Sequence, residues 1–303
     1  MKPTLLALLV VASGCTDVDD SRMRWSVTVS PSEDQPNLVD ATARLYIPSE
    51  EVSGAVVFSR HGLGYEMFEH ERWRQAAADD GYALIEVDIV ADDGKDTAVD
   101  YPDQAGLMVE DLLRAAARES GHRELHDAPL VVWGHSSGSQ MIVPAAAHTS
   151  AHIAGFIAFH GSVRQAALDP ELDTREVLLA PEFLDVPGLV MVAEHDPVGL
   201  RDASIDFVGE GRDRGAHWAL TVDEGLQHWG YDGTLDLMIP FAALAFEPPV
   251  DEPVVRLLNG PSFLSGIEDH WLPNQDFAAL WSDYHASYEA RYPATESDLV
   301  LLP

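Results

Sequence analysis

Apolar and polar positions along the chain follow two rhythms that alternate from segment to segment. Trp25 to Val29 and Ala41 to Ile47 alternate apolar with polar residues. That is the pattern of half-exposed antiparallel strands, and a Pro/Ser/Asp-rich turn near Pro31 to Asn37 joins them. Gly54 to Ser59 is a short β-branched run and predicts a buried strand. A helix is predicted over Glu66 to Asp80, stopped by Gly81. It is followed by a strand over Ala83 to Ile89, an acidic loop from Asp92 to Asp103 and a helix over Gln104 to Glu119. The strand Leu130 to Trp133 leads directly into a helix from Ser137 to about His148. The strands Ala154 to Phe159, Gly188 to Ala193 and Trp218 to Val222 come next, with helices near Arg201 to Val208 and over Gly233 to Phe246. Two early strands and then strict alternation imply an α/β fold, a mostly parallel sheet of about eight strands with helices on both faces.

The pattern also divides the chain. Residues 25–247 form the α/β domain, closed by Glu247-Pro248-Pro249, and residues 248–303 form an extension packed on it. In that extension Phe277, Leu280, Trp281, Tyr284 and Tyr288 fall on one face of a predicted helix. Residues 1–14 carry a single Lys2, an apolar run and then Ala12-Ser13-Gly14, which reads as a signal peptide of the lipoprotein type. Cys15, the only cysteine, would be lipidated and would anchor the exported protein to the cell envelope through the acidic tether 15–24, with ordinary secretion as the alternative. No other membrane contact is expected, because no later run approaches the ~20 residues that a spanning helix needs.

Charge narrows the partners. There are 51 acidic residues against 18 basic ones, a formal net charge of −33, and the only lysines are Lys2 and Lys95. Such a field repels phosphate backbones, so nucleic acid is excluded as a partner, and it favours neutral or cationic substrates.

Chemistry concentrates at Gly134-His135-Ser136-Ser137-Gly138, which follows a strand and opens a helix. A strand that turns into a helix within a residue or two forces Ser136 into a strained conformation. Its hydroxyl is left exposed above the sheet, and the Ser137 N–H points where an oxyanion would form. A serine hydroxyl needs a base, and the base needs a carboxylate. Asp196 stands just past the strand Gly188 to Ala193, and His228 stands in the loop Gly225-Leu226-Gln227-His228 after the next strand. Both are at carboxyl ends of strands, where open α/β sheets place their sites. Glu194 is a rival acid; Asp196 is preferred because it lies further into the loop, before Pro197. A glycine turn at His61-Gly62-Leu63-Gly64 follows the strand Gly54 to Ser59 and would supply a second oxyanion donor from the Leu63 N–H.

Together these residues resemble the α/β-hydrolase superfamily over roughly Trp25 to Phe246, with dienelactone-hydrolase-related and cutinase-like esterases the more particular likeness. The resemblance implies an α/β-hydrolase fold and a serine hydrolase acting on carboxylic esters, small or polymeric, through Ser136, His228 and Asp196, with no cofactor. A peptidase or thioesterase using the same residues, and a non-catalytic binding protein on a hydrolase fold, are the alternatives. Ser139 departs from the pattern, since many members carry a second glycine there. Gly161 to Val186, where members insert a cap, has only about 25 residues, so an open or lightly covered site is expected. The carboxylates Asp92, Asp93, Asp96, Asp100 and Asp103, and the histidines His148, His152, His160 and His217, lack metal-ligand spacing. They read as a solvated loop and as surface or core packing, and no metal is expected.

Overall fold

A computed structural model describes residues 24–92, 98–149, 152–161, 174–247, 254–257 and 269–291. Cys15 and the leader, Asp93 and Asp96 of the acidic loop, and residues 162–173 of the expected cap segment lie outside the described residues.

Strands β1 (Arg24–Val29), β2 (Leu38–Tyr46), β3 (Ala55–Ser59), β4 (Ala83–Ala91), β5 (Leu130–His135), β6 (Ile153–Phe159), β7 (Gly188–His195) and β8 (Trp218–Gln227) form one eight-stranded sheet. The order is β1-β2-β4-β3-β5-β6-β7-β8. β2 runs antiparallel to both β1 and β4, and every later pairing is parallel. The two hydropathy rhythms have this cause. β1 lies at an edge and exposes alternate residues, whereas β3 and β5, covered on both faces, are buried at every position.

Helices α1 (Gly64–Glu69) and α2 (Glu71–Asp80) connect β3 to β4, α3 (Pro102–Ser120) connects β4 to β5, and α4 (Ser137–Ala147) connects β5 to β6. Two short helices, α5 (Arg175–Leu178) and α6 (Pro181–Leu184), precede β7, where no regular element was expected. Helices α7 (Val198–Asp213) and α8 (Leu235–Ala245) flank β8, and the small pair β9 (Val254–Leu257) and β10 (Asp269–Leu272) leads to α9 (Gln275–Arg291). Apolar side chains of α3, α4 and α7 (Met108, Leu112, Ile142, Phe207) fill one face of the sheet. Those of α1, α2, α8 and α9 (Phe68, Trp73, Phe241, Trp281) fill the other.

Three expectations need correction. The single helix over Glu66 to Asp80 is two helices. His70 between them is extended (φ −69°, ψ 128°), and its Nδ1 accepts the Arg72 N–H as an N-cap for α2. The break lets Phe68 and Trp73 both reach the core. Second, the last two sheet strands run further than their apolar cores, so Glu194 and Gln227 are strand residues and no loop precedes His228. Their ladder crosses an irregularity: Ala193 pairs with Asp223, but His195 pairs with Gln227. The extra β8 residues form a bulge in which Gly225 takes φ 71°. Third, Phe277, Trp281 and Tyr284 of α9 are buried while Leu280 faces solvent, so the buried stripe is narrower than expected. Tyr288 lies beyond the described side chains.

Candidate active site

β5 delivers the chain to Ser136 and α4 takes it away. The turn between them holds Ser136 at φ 55°, ψ −128°, a left-handed position unusual for a side chain larger than glycine's. Neighbouring backbone holds the elbow in place: the Ser136 N–H donates to the Phe159 carbonyl (3.1 Å), and the Ser136 carbonyl accepts from the Ser139 N–H (3.0 Å). Ser139, which departs from the more usual glycine, is buried and donates its hydroxyl to the Gly134 carbonyl at 2.6 Å, tying the helix start back to the strand end. Gly161, two residues past the end of β6, presses against the elbow: a Cβ there would fall 2.4 Å from the Ser136 carbonyl oxygen.

The bulge in β8 brings His228 to the same edge. Its Nε2 lies 2.9 Å from Ser136 Oγ, and its Nδ1 lies 2.7 Å from Asp196 Oδ1. Asp196 is buried, and its other oxygen accepts the Ala193 N–H at 2.9 Å, which fixes the carboxylate's direction. With Nδ1–H donated to Asp196, Nε2 is left as the acceptor for the serine proton. The rival carboxylate points elsewhere: Glu194 accepts the Gly225 N–H at 2.7 Å and so braces the bulge.

Ser137 is the first residue of α4, so its N–H belongs to the turn that has no carbonyl partner within its own helix. Leu63 directly precedes α1 and is buried. The turn that carries it packs on the start of α4: a Cβ at Gly138 would lie 3.1 Å from the His61 carbonyl oxygen.

Solved structures of similar shape bear on the fold. A ferulic acid esterase superposes with a TM-score of 0.55 at 14% identity, covering 74% of this chain and 99% of that one. EstE1, a thermophilic and thermostable carboxylesterase from a metagenomic library, gives 0.52 at 16% identity, covering 74% and 90%. An S-formylglutathione hydrolase from Agrobacterium tumefaciens gives 0.51 at 14% identity, covering 74% and 94%. This chain has the α/β-hydrolase fold. No protein-family model matches the sequence, and no curated protein matches it either.

Three residues near the α/β-hydrolase elbow escaped the reading of the sequence as functional positions. His135, inside the serine motif, is fully buried and its Nε2 lies 2.7 Å from the His228 carbonyl oxygen. His160, just past β6, is also fully buried and holds φ 45°; its Nδ1 lies 3.1 Å from the same carbonyl. Its Nε2 lies 2.7 Å from Asp223 of β8, whose other oxygen accepts the hydroxyl of Tyr284 on α9 at 2.7 Å. A carboxylate closing the apolar run of β8 was the one signal available in the sequence, since a buried acid needs a partner. The buried surroundings push the His135 imidazole down to about 3 and push the Asp223 carboxyl upward, the latter opposed by its hydrogen bonds to His160 and Tyr284. His135 is therefore neutral near pH 7.

A separate cavity of about 760 Å³ opens at the opposite edge of the sheet, lined by Val186, His217, Phe241, Leu244 and Trp271 among others. It does not include Ser136, Asp196 or His228.

Proposed function

We propose that this protein is a serine hydrolase that cleaves carboxylic esters. The observation that carries this reading is the hydrogen-bonded chain from Ser136 through His228 to Asp196, with 2.9 and 2.7 Å links, set on a strained elbow at the carboxyl edge of the sheet. Ser136 Oγ attacks the ester carbonyl carbon while His228 Nε2 takes its proton. The tetrahedral oxyanion is held by the N–H groups of Leu63 and Ser137, each donor worth about 10²–10³ in rate. His228 then gives the proton to the departing alkoxide, leaving an acyl-serine. Water, deprotonated by the same nitrogen, releases the acid and restores Ser136. Asp196 orients His228 and offsets the charge of its imidazolium.

Exposed apolar side chains next to the site residues in sequence favour an apolar acyl or aromatic group on the substrate. Tyr65, Val198 and Trp229 are large apolar side chains left 47%, 61% and 59% exposed, each within two residues of Leu63, Asp196 or His228. The net charge of −33 disfavours anionic substrates. The similar structures, a ferulic acid esterase, a carboxylesterase and an S-formylglutathione hydrolase, agree with acyl transfer. A fluorophosphonate probe should label Ser136 in the wild type and not in Ser136→Ala, and nitrophenyl esters should be turned over faster than matched peptide or thioester substrates. Unlabelled folded protein would overturn the hydrolase reading, and faster thioester or peptide cleavage would overturn the ester assignment.

A further inference from the structure

The carbonyl of His228 is held from below by two imidazoles. His135 Nε2 stands 2.7 Å from that oxygen and His160 Nδ1 stands 3.1 Å from it. A carbonyl oxygen only accepts, so each contact is a hydrogen bond only if the nitrogen carries hydrogen. His135 meets that condition directly. It is neutral and has one hydrogen; its Nδ1 has no hydrogen-bond partner among the described residues and faces Gly62, where a Cβ would fall 2.3 Å away. The hydrogen therefore belongs on Nε2, under the His228 carbonyl.

His160 meets the condition by a longer route. If Nδ1–H is donated to His228, the 2.7 Å contact between Nε2 and Asp223 Oδ2 needs a further hydrogen, carried by the ring or by the carboxyl. Both side chains are fully buried, where a couple with no net charge is far cheaper than a lone carboxylate. The upward push that burial exerts on the Asp223 carboxyl agrees with that extra hydrogen. Asp223 is held in turn from the C-terminal helix. Tyr284 donates to Asp223 Oδ1 (2.7 Å), and one turn earlier Trp281 Nε1–H donates to Thr221 Oγ1 (3.1 Å). Thr221 and Asp223 alternate along β8 and so face α9 together. His160 keeps its left-handed backbone while its N–H donates to the Met191 carbonyl at 2.8 Å and its ring stacks on Phe159 at 3.8 Å.

We propose that His135 and His160 are positioning residues that fix His228 through its own backbone carbonyl, and that Asp223 and Tyr284 hold His160 in the donor state, which makes α9 part of the site's support. The role assigned to His228 rests on the hydrolase reading; the hydrogen positions do not. The imidazole between Ser136 and Asp196 has to stay within a fraction of an ångström of both, and a displacement of about 1 Å costs around 10²-fold in turnover.

Two measurements test this. Imidazole ¹⁵N NMR on the wild-type protein should find hydrogen on His160 Nδ1 and on His135 Nε2; a bare His160 Nδ1 would overturn the clamp whether or not the protein hydrolyses anything. Ester kinetics should show His160→Asn, which tolerates the left-handed backbone, lowering kcat by about 10²-fold with KM nearly unchanged. Asp223→Asn should restore most of what Asp223→Leu loses, because its amide can give a hydrogen to His160 Nε2 and accept the Tyr284 hydroxyl. Wild-type kcat in His160→Asn, or an Asp223→Asn variant as impaired as Asp223→Leu, would also overturn it. A wild type that binds no fluorophosphonate and cleaves no ester refutes the hydrolase reading instead, and the NMR result still decides the clamp.

Discussion

Two histidine–carboxylate pairs lie within one residue's reach of each other, and they have the same length. His228–Asp196 and His160–Asp223 are each 2.7 Å apart. They differ in what meets the far nitrogen of the ring and in access to water. His228 Nε2 faces the Ser136 hydroxyl and its side chain is 17% exposed, whereas His160 Nδ1 faces a backbone carbonyl and neither member of its pair is exposed at all. In the proposed reaction, a proton taken from Ser136 is passed to a leaving group at the open edge. A proton on His160 Nδ1 has only the His228 carbonyl, which cannot keep it. On the readings proposed above, the same two residue types make a proton carrier in one place and a strut in the other. The third group and the solvent decide which.

The comparison breaks most sharply at the two acids. Asp196→Asn should keep the fold, misorient His228 and lower turnover by up to roughly 10⁴-fold, while Asp223→Asn should cost only a few-fold in the same ester assay. Equal losses would erase the distinction between carrier and strut.

The next effect is on stability in acid. His135 is pushed down to about 3 by burial, against an ordinary value of 6.5. Its folded form therefore binds fewer protons than its unfolded form between those limits. Its contribution is complete above pH 6.5 and is lost as the pH falls toward 3, by up to roughly 5 kcal/mol across the window. Chemical denaturation of wild type against His135→Gln as a function of pH should show the wild type losing more stability over that range. Parallel curves would contradict the buried neutral state.

Gly161 links the two pairs, since it follows His160 and touches the Ser136 backbone. Gly161→Ala puts a methyl group against main chain that cannot move aside freely. It should destabilise by about 1–3 kcal/mol, read from the denaturation midpoint, and should also slow fluorophosphonate labelling of Ser136. The smallest change is expected at the rival acid. Glu194→Gln keeps an oxygen able to accept the Gly225 N–H, so it should cost under about 1 kcal/mol and leave ester turnover within a few-fold of wild type. A loss near that of Asp196→Asn would move the acid's role to Glu194.

What could be read before the structure follows a simple division. Ser136 sits where a strand becomes a helix, so its strained backbone follows from adjacent residues. Asp196 and His228 each follow a strand in parallel register, and such strands bring their carboxyl ends to one edge. Local rules miss the break at His70, because Glu66 to Asp80 has continuous helical composition and only the need to bury both Phe68 and Trp73 divides it. They miss the β8 bulge as well, since apolar residues mark a strand's buried part while backbone pairing extends beyond it.

The sequence by itself determined the layered α/β architecture, the serine elbow and the order in which serine, acid and histidine arrive, because periodicity and turn chemistry act over a few residues. Only the tertiary structure decided which carboxylate meets His228 and which braces a bulge. It also decided that His135 and His160 share one carbonyl, and that a tyrosine 61 positions away reaches Asp223. Those choices depend on hydrogen-bond geometry across distant segments. In a buried site every donor and acceptor has to be matched by whatever the rest of the chain brings beside it, and the spacing of residues along one strand carries no record of that.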